Sequence, residues 1–168
     1  YGLGSGYLNQ LEIGAKIKAR VITNTAFHFP KQATKVALIS NGTGIAPFLG
    51  MIQESTPKTE THLYCGFRTE TKSVASYTKL AQEMMDQQRL QSFNLALSRI
   101  PNCCRVTQLV ERDAAFFKAL LNENGVIMIC GSLAMQKDVE KVLETLLEES
   151  NTSVSDYKAK GQILTDCY

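Results

Sequence analysis

Seven residues, Gly42-Thr43-Gly44-Ile45-Ala46-Pro47-Phe48, follow a short apolar run and open a helical pattern. The glycines Gly42 and Gly44 allow turn conformations and a close backbone approach that other residues forbid. A helix N-terminus then offers free N–H groups and partial positive charge to a phosphate. Pro47 suits a first helical turn, where its missing N–H costs nothing. Spacing alone leaves phosphate binding and an ordinary strand-to-helix turn both open. Ser98-Arg99 closes another apolar stretch, and a guanidinium fork beside a hydroxyl suits a phosphate. Arg68, after Tyr64-Cys65-Gly66-Phe67, reads as a loop arginine on its own. Cys130, ending Val126 to Cys130, reads on its own as apolar filler. His28 and His62 have no partner spacing for metal or nucleophile chemistry. No paired-carboxylate or Ser-His-Asp pattern stands out, and no metal site is expected.

The elements that must position these residues follow from periodicity. Ala15 to Val21 alternates Ile17, Ala19 and Val21 with Lys16, Lys18 and Arg20, which predicts a half-buried strand. Val36 to Ile39 predicts a buried parallel strand, followed by a helix over 46–55. Strands are expected over 61–67 and 93–98, with a short one over 106–110. A helix over 77–90 would turn Tyr77, Leu80, Ala81 and Met84 inward. Asp113 is a plausible N-cap for a helix through about Asn122, with Gly125 as its stop. A strand over 126–130, a helix over 133–149, a short helix over 153–160 and an extended end over 161–168 complete the pattern. Alternating strands and helices predict an α/β fold with a doubly wound parallel sheet, helices on both faces. Ligands in such sheets bind beyond the carboxyl ends of the strands.

The composition supports this. The chain has 168 residues, 44% of them hydrophobic and 20% charged, enough for a packed core. A net charge of +2 gives no reason to invoke nucleic acid or an anionic membrane. No run of about 18 apolar residues exists to span a bilayer. Five cysteines, odd in number and without a C-x-x-C, argue against a disulfide framework or a zinc site. A reducing, cytosolic setting is the simplest expectation, or the cytosolic face of a membrane should an anchor lie elsewhere. The start at Tyr1 reads as that of a piece of a longer polypeptide.

Gly42 to Phe48 resembles the pyrophosphate-binding loop of the ferredoxin–NADP reductase superfamily and its diflavin members, such as sulfite reductase flavoprotein and microsomal cytochrome reductase. Further segments match in order across essentially the whole chain. Gly2-Leu3-Gly4-Ser5-Gly6-Tyr7-Leu8 is similar to the family's flavin-pyrophosphate segment, so Gly4 and Ser5 are expected at FAD phosphates. Tyr64 to Arg68 is similar to a segment lining the nucleotide site, which puts Arg68 near the pyrophosphate. Ser98 and Arg99 match the pair that meets the adenosine 2′-phosphate, and Gln108 matches a glutamine that often follows. Cys130-Gly131-Ser132-Leu133-Ala134-Met135-Gln136-Lys137-Asp138-Val139 resembles the family's Cys-Gly strand end. Cys130 would sit beside nicotinamide C4, Gly131 would leave room for nicotinamide or its ribose, and Met135, which with Val139 reads on its own as helix packing, falls among the cofactor-binding positions. Gly161 to Tyr168 is similar to the family terminus, in which the last aromatic covers the flavin and an acidic residue two before it orients cysteine and nicotinamide. That implies catalytic roles for Cys130, Asp166 and Tyr168.

The resemblance implies two domains: 1–32 as the end of an antiparallel FAD-binding β-barrel, and 33–168 as the NAD(P)-binding domain. It implies NADPH and FAD as cofactors, with FMN possible in an upstream domain. The expected activity is hydride transfer from NADPH to FAD, then single-electron transfer to an electron-acceptor protein or domain of FMN, flavodoxin or ferredoxin type. A nucleotide-sensing module without turnover is the alternative. The chain departs from the pattern at Cys104 and Val106, where diflavin members carry Lys and Tyr, and at Gln162 and Ile163, where Arg and Tyr are usual. On a strand over 106–110, Arg105 would point away from Cys104 and Val106 and could not replace the lysine.

Overall fold

A computed structural model describes residues 3–20, 22, 24–55, 58–148, 150 and 152–168, and only the backbone of Ser5. Five parallel strands form one sheet in the order β3-β2-β1-β4-β5. They are β1 Lys35–Asn41, β2 Glu60–Phe67, β3 Ser92–Leu97, β4 Val126–Gly131 and β5 Ile163–Cys167. The helices are α1 Leu3–Asn9, α2 Ile45–Glu54, α3 Lys72–Asp86, α4 Val106–Arg112, α5 Ala114–Asn122, α6 Leu133–Leu147 and α7 Val154–Ala159. This is the doubly wound α/β arrangement that the alternation predicts. Because β1 lies centrally and its two neighbours are reached in opposite directions, the chain reverses its winding between β1 and β4, which creates a crevice at their carboxyl ends.

Period-two alternation assigns side chains to two core layers. Val36, Leu38, Leu63, Cys65, Met128 and Cys130 pack against Ile45, Phe48, Leu49 and Ile52 of α2 and Ala81 and Met84 of α3. Ala37, Ile39, Tyr64, Ile127 and Ile129 face α4 to α7, with Val110, Phe117, Leu120, Val139 and Leu143 fully buried or nearly so. Phe27 is buried against Phe48, with ring centroids 6.0 Å apart, so residues ahead of Lys35 also join the first layer. No described helix is long and apolar enough to cross a membrane.

Several local expectations are corrected. Residues 106–110 form helix, not strand: Val106, Leu109 and Val110 are the buried positions, at spacings of three and four that fit a helical turn. Helix α3 starts five residues before the expected Tyr77, because Thr71 caps it by accepting from Val74 N–H at 3.2 Å. It ends at Asp86, and Gln88 with φ +58° turns the chain away. Asp113 stands at the N-cap of α5, but its carboxylate accepts from Tyr64 Oη at 3.0 Å and from Arg112, not from the helix backbone. The left-handed residue after α5 is Asn124, and Gly125 is required because a Cβ there would lie 2.7 Å from the Leu120 carbonyl oxygen. The strand expected over 15–21 does not form among its described residues, 15–20, which run exposed and unpaired; Val21 lies outside the described residues. An amphipathic strand needs a sheet edge to pair with, and none of the described strands pairs with these residues. Gly2 lies outside the described residues, as does Glu149 at the expected end of α6.

Candidate functional site

Strand β1 ends at Asn41, and the chain enters a tight 3-10 turn, Gly42–Gly44, before α2. Gly42 takes φ +55° with open space where a Cβ would be, so this is the surface a ligand can approach. Gly44 faces the other way. A Cβ on it would lie 2.2 Å from the Cys130 carbonyl oxygen, so its role is to let the turn sit on the end of β4. Pro47 lies in the first turn of α2 and outside the cleft.

The turn borders a cleft of about 800 Å³ at the carboxyl ends of the strands. Of the residues singled out from sequence, the cleft brings together Gly42, Thr43, Arg68, Ser98, Arg99, Met135 and Tyr168. The backbone explains why two arginines meet there. Ser98 N–H donates to Phe67 O at 2.9 Å and Arg99 N–H to Arg68 O at 2.7 Å, which extends the β2–β3 ladder past the strands. Asn102, at φ +58°, then turns the chain back, and Cys104 N–H anchors on Leu97 O at 3.2 Å. That return delivers Arg105 and Thr107 to the same cleft. Among the described residues three arginines and a single acidic side chain, Asp138, therefore line it. Among the described residues none of the three arginines stands in an ion pair. Like charges gathered around a concave surface favour an anionic ligand with several phosphate oxygens.

Asn41 and Ser132 are the residues that sequence reasoning missed. Asn41 Oδ1 accepts from Ser132 N–H at 2.9 Å, and its Nδ2 donates to Ser132 Oγ at 3.0 Å. Ser132 Oγ also caps α6 by accepting from Met135 N–H at 3.3 Å. The pair thus fastens the two strand ends that flank the reversal of winding. Gly131 takes φ +146°, and a Cβ on it would lie 2.1 Å from Asn41 Oδ1. An Asn at the end of β1 and a Ser after Cys-Gly were the only sequence signals for this clasp.

Cys130, Gly131 and Asp166 adjoin the cleft without lining it. Cys130 is buried at the end of β4 and pairs in register with Asp166 on β5. Burial, and after it the negative charge of Asp166, push the Cys130 thiol up from its ordinary 9.0 to about 11. It stays protonated at neutral pH, which suits a packing surface and not a nucleophile. Tyr168 is held through its backbone, N–H to Gly131 O at 2.9 Å and O from Leu133 N–H at 3.2 Å. Its hydroxyl reaches across to hydrogen-bond Thr43 Oγ1 on the turn. Gln108 is exposed, outside the cleft, with its Oε1 accepting from Arg105 N–H at 2.7 Å. Gly4 lies within α1, which is a short exposed helix and not an open loop, and is not among the residues that line the cleft; the backbone of Ser5 is in the same helix.

The departures from the family pattern have structural counterparts. Val106 packs under Gly66, whose Cβ would lie 3.3 Å from Val106 Cβ. Gln162 Nε2 donates to Leu121 O at 2.9 Å and Gly125 O at 3.1 Å, closing the end of α5. Ile163 fills the core beside it.

Residues 38–141 match the model of the oxidoreductase NAD-binding domain. The chain is 34% identical over 172 residues to a nitric oxide synthase of Anopheles stephensi, covering 94% of the chain and 14% of that protein. It is 31% identical over 162 residues to the NADPH–cytochrome P450 reductase of Rattus norvegicus, covering 88% and 24%. To a self-sufficient cytochrome P450 monooxygenase of Aspergillus terreus it is 28% identical over 162 residues, covering 87% and 15%. The chain spans less than a quarter of the length of each of these relatives. The glycine turn, the cleft at the reversal of winding and these matches agree: the chain belongs to the oxidoreductase NAD-binding domain family, within the ferredoxin–NADP reductase superfamily and close to its diflavin reductases.

Proposed function

We propose that this chain is the pyridine-nucleotide end of an NADPH-dependent flavoprotein oxidoreductase that passes electrons from NADPH through FAD to a separate electron-accepting protein or domain. The observation that carries this reading is the arginine-lined cleft at the end of β1 and β4, floored by the Gly42–Gly44 turn. When both cofactors are bound, the nicotinamide supplies a hydride and the flavin takes it up.

The chain's own residues serve placement. Gly42 and Thr43 present backbone and hydroxyl to a pyrophosphate, and Arg68 neutralises it. Ser98 and Arg99 receive the ribose 2′-phosphate; the Ser98 hydroxyl, which donates to Phe67 O at 3.3 Å, turns outward to do so. Gly131 keeps side-chain bulk away from the nicotinamide ribose, and Met135 walls the cleft. Cys130, protonated and buried, offers a neutral face, with Asp166 opposite it to orient the carboxamide. Tyr168 must leave the Thr43 hydroxyl before a nucleotide fills the turn. Gly4 and Ser5 would meet FAD phosphates at the start of α1, and the ring of FAD would be held by other parts of the full protein. An FMN- or flavodoxin-type acceptor fits the cytochrome P450 reductase likeness, and five free cysteines fit a reducing, cytosolic setting.

The test is anaerobic addition of NADPH to the full-length protein. Bleaching of flavin absorbance, followed by reoxidation on adding a flavodoxin-type acceptor, is expected. Nucleotide binding with no bleaching would replace this reading with a sensing module.

A further inference from the structure

We propose that Arg105 is the third arm of the 2′-phosphate subsite, held in place by Gln108, and that it supplies the positive charge missing at Cys104. This rests on the nucleotide reading above and names a specificity residue within it.

The case begins with the change from strand to helix. In a strand, Arg105 would point opposite Cys104 and Val106. Val106 instead begins α4, and Arg105 is its N-cap, with extended φ −100° and ψ 161°. Helical phase puts Val106, Leu109 and Val110 into the core. Arg105, exposed, then takes the cleft side together with Thr107. Cys104 is tied to the end of β3 through Leu97 O, the residue before Ser98, and Arg105 follows from that anchor. Arg99, Arg105, Ser98 and Thr107 thus all line the cleft, to which the described residues bring one acidic side chain, Asp138. Two guanidinium forks can share the oxygens of a phosphate dianion, which an uncharged ribose hydroxyl cannot repay.

Gln108 acts here as a positioning residue. Its Oε1 accepts the Arg105 backbone N–H at 2.7 Å, and its own N–H donates to Arg105 O at 3.0 Å. Two hydrogen bonds to the backbone of one residue fix where that arginine starts.

The experiment measures Kd for NADP+ and NAD+ by calorimetry with full-length protein carrying R105A, R105K, Q108A and R105A/Q108A. Arg105 is exposed and uses only its backbone in the cap, so R105A should keep the parent's thermal stability. R105A is expected to weaken NADP+ by about tenfold or more, the effect of a charge-assisted hydrogen-bond set, and to leave NAD+ unchanged. R105K should recover part of the loss. Q108A should weaken NADP+ in the parent and add nothing in the R105A background, since it acts through Arg105. Equal losses for both cofactors, or no loss, overturn the role of Arg105. Additive losses in the double variant overturn the positioning role of Gln108. Should the parent bind neither cofactor, the nucleotide reading falls first and this inference with it.

Discussion

At the scale of single residues, the site depends on a clasp that joins two strand ends. Asn41 makes two hydrogen bonds to Ser132, and Gly131 must be glycine for Asn41 to reach it. Gly131→Ala adds a Cβ that would overlap Asn41 Oδ1 and sits at φ +146°, which costs roughly 1–3 kcal/mol. Asn41→Ala breaks the clasp on its own account. In the double variant the overlap has lost its partner, so its cost should be smaller than the sum of the two singles. Urea denaturation of the three variants checks this; additive costs would show that the clash does not govern Gly131. The residue types of the arginine-lined cleft were legible in sequence: Gly42, Thr43, Arg68, Ser98 and Arg99 do converge. Asn41 was not, because an amide that closes a hydrogen-bonded loop between residues 91 positions apart leaves no local pattern.

At the scale of elements, β5 carries Asp166 and Tyr168 to the site, and its placement depends on the end of α5. Gln162 donates to two carbonyls there, Leu121 O, which also accepts from Asn124 N–H, and Gly125 O just past the helix. Gln162→Ala should destabilise the protein by about 0.5–1.5 kcal/mol, because Gly125 O loses its side-chain donor while Leu121 O keeps Asn124 N–H. Gln162→Arg should retain most of the stability, since a guanidinium also offers several N–H groups to one place. Thermal unfolding compares them; an unchanged midpoint for the alanine variant would mean that β5 is held by its ladder alone. The strands of the sheet were readable because burial on both faces produces continuous apolar runs, as in Val36 to Ile39. Residues 106–110 misled because Val106, Gln108 and Val110 also fit a period of two. Only the burial of Leu109 resolves the helix. The early start of α3 was hidden because its first turn, Lys72 to Ala75, buries Val74 alone and its signal is one threonine cap. Ala15 to Arg20 shows the limit of local pattern: alternation states a preference, and pairing needs a neighbouring edge.

At the scale of the whole molecule, residues 125 positions apart meet at the glycine turn. Tyr168 is pinned by its backbone to Gly131 and Leu133, while its ring projects into the cleft and its hydroxyl bonds Thr43. On the function proposed above, the same surface serves a tyrosine now and a pyrophosphate when cofactor binds, and the two exclude each other. A ligand that must displace a side chain has an apparent Kd equal to its intrinsic value divided by the fraction of open protein. Tyr168→Ala should raise that fraction towards one and tighten both NADP+ and NAD+ by the same factor, because the competition is for the shared pyrophosphate turn. Tyr168→Phe separates the ring from its hydroxyl. If the hydrogen bond to Thr43 holds the side chain in place, the phenylalanine variant should bind nearly as tightly as the alanine variant. If the ring alone obstructs the turn, it should bind like the parent. Thr43→Ala is the wrong control, since it also removes a ligand to the phosphate. Calorimetric titration of each cofactor into the full-length variants reads the factor directly. Unchanged Kd values in Tyr168→Ala would place the tyrosine outside the path of the nucleotide. Tightening confined to NAD+ would mean instead that NADP+ binds without displacing the tyrosine, so that the two cofactors do not share the turn.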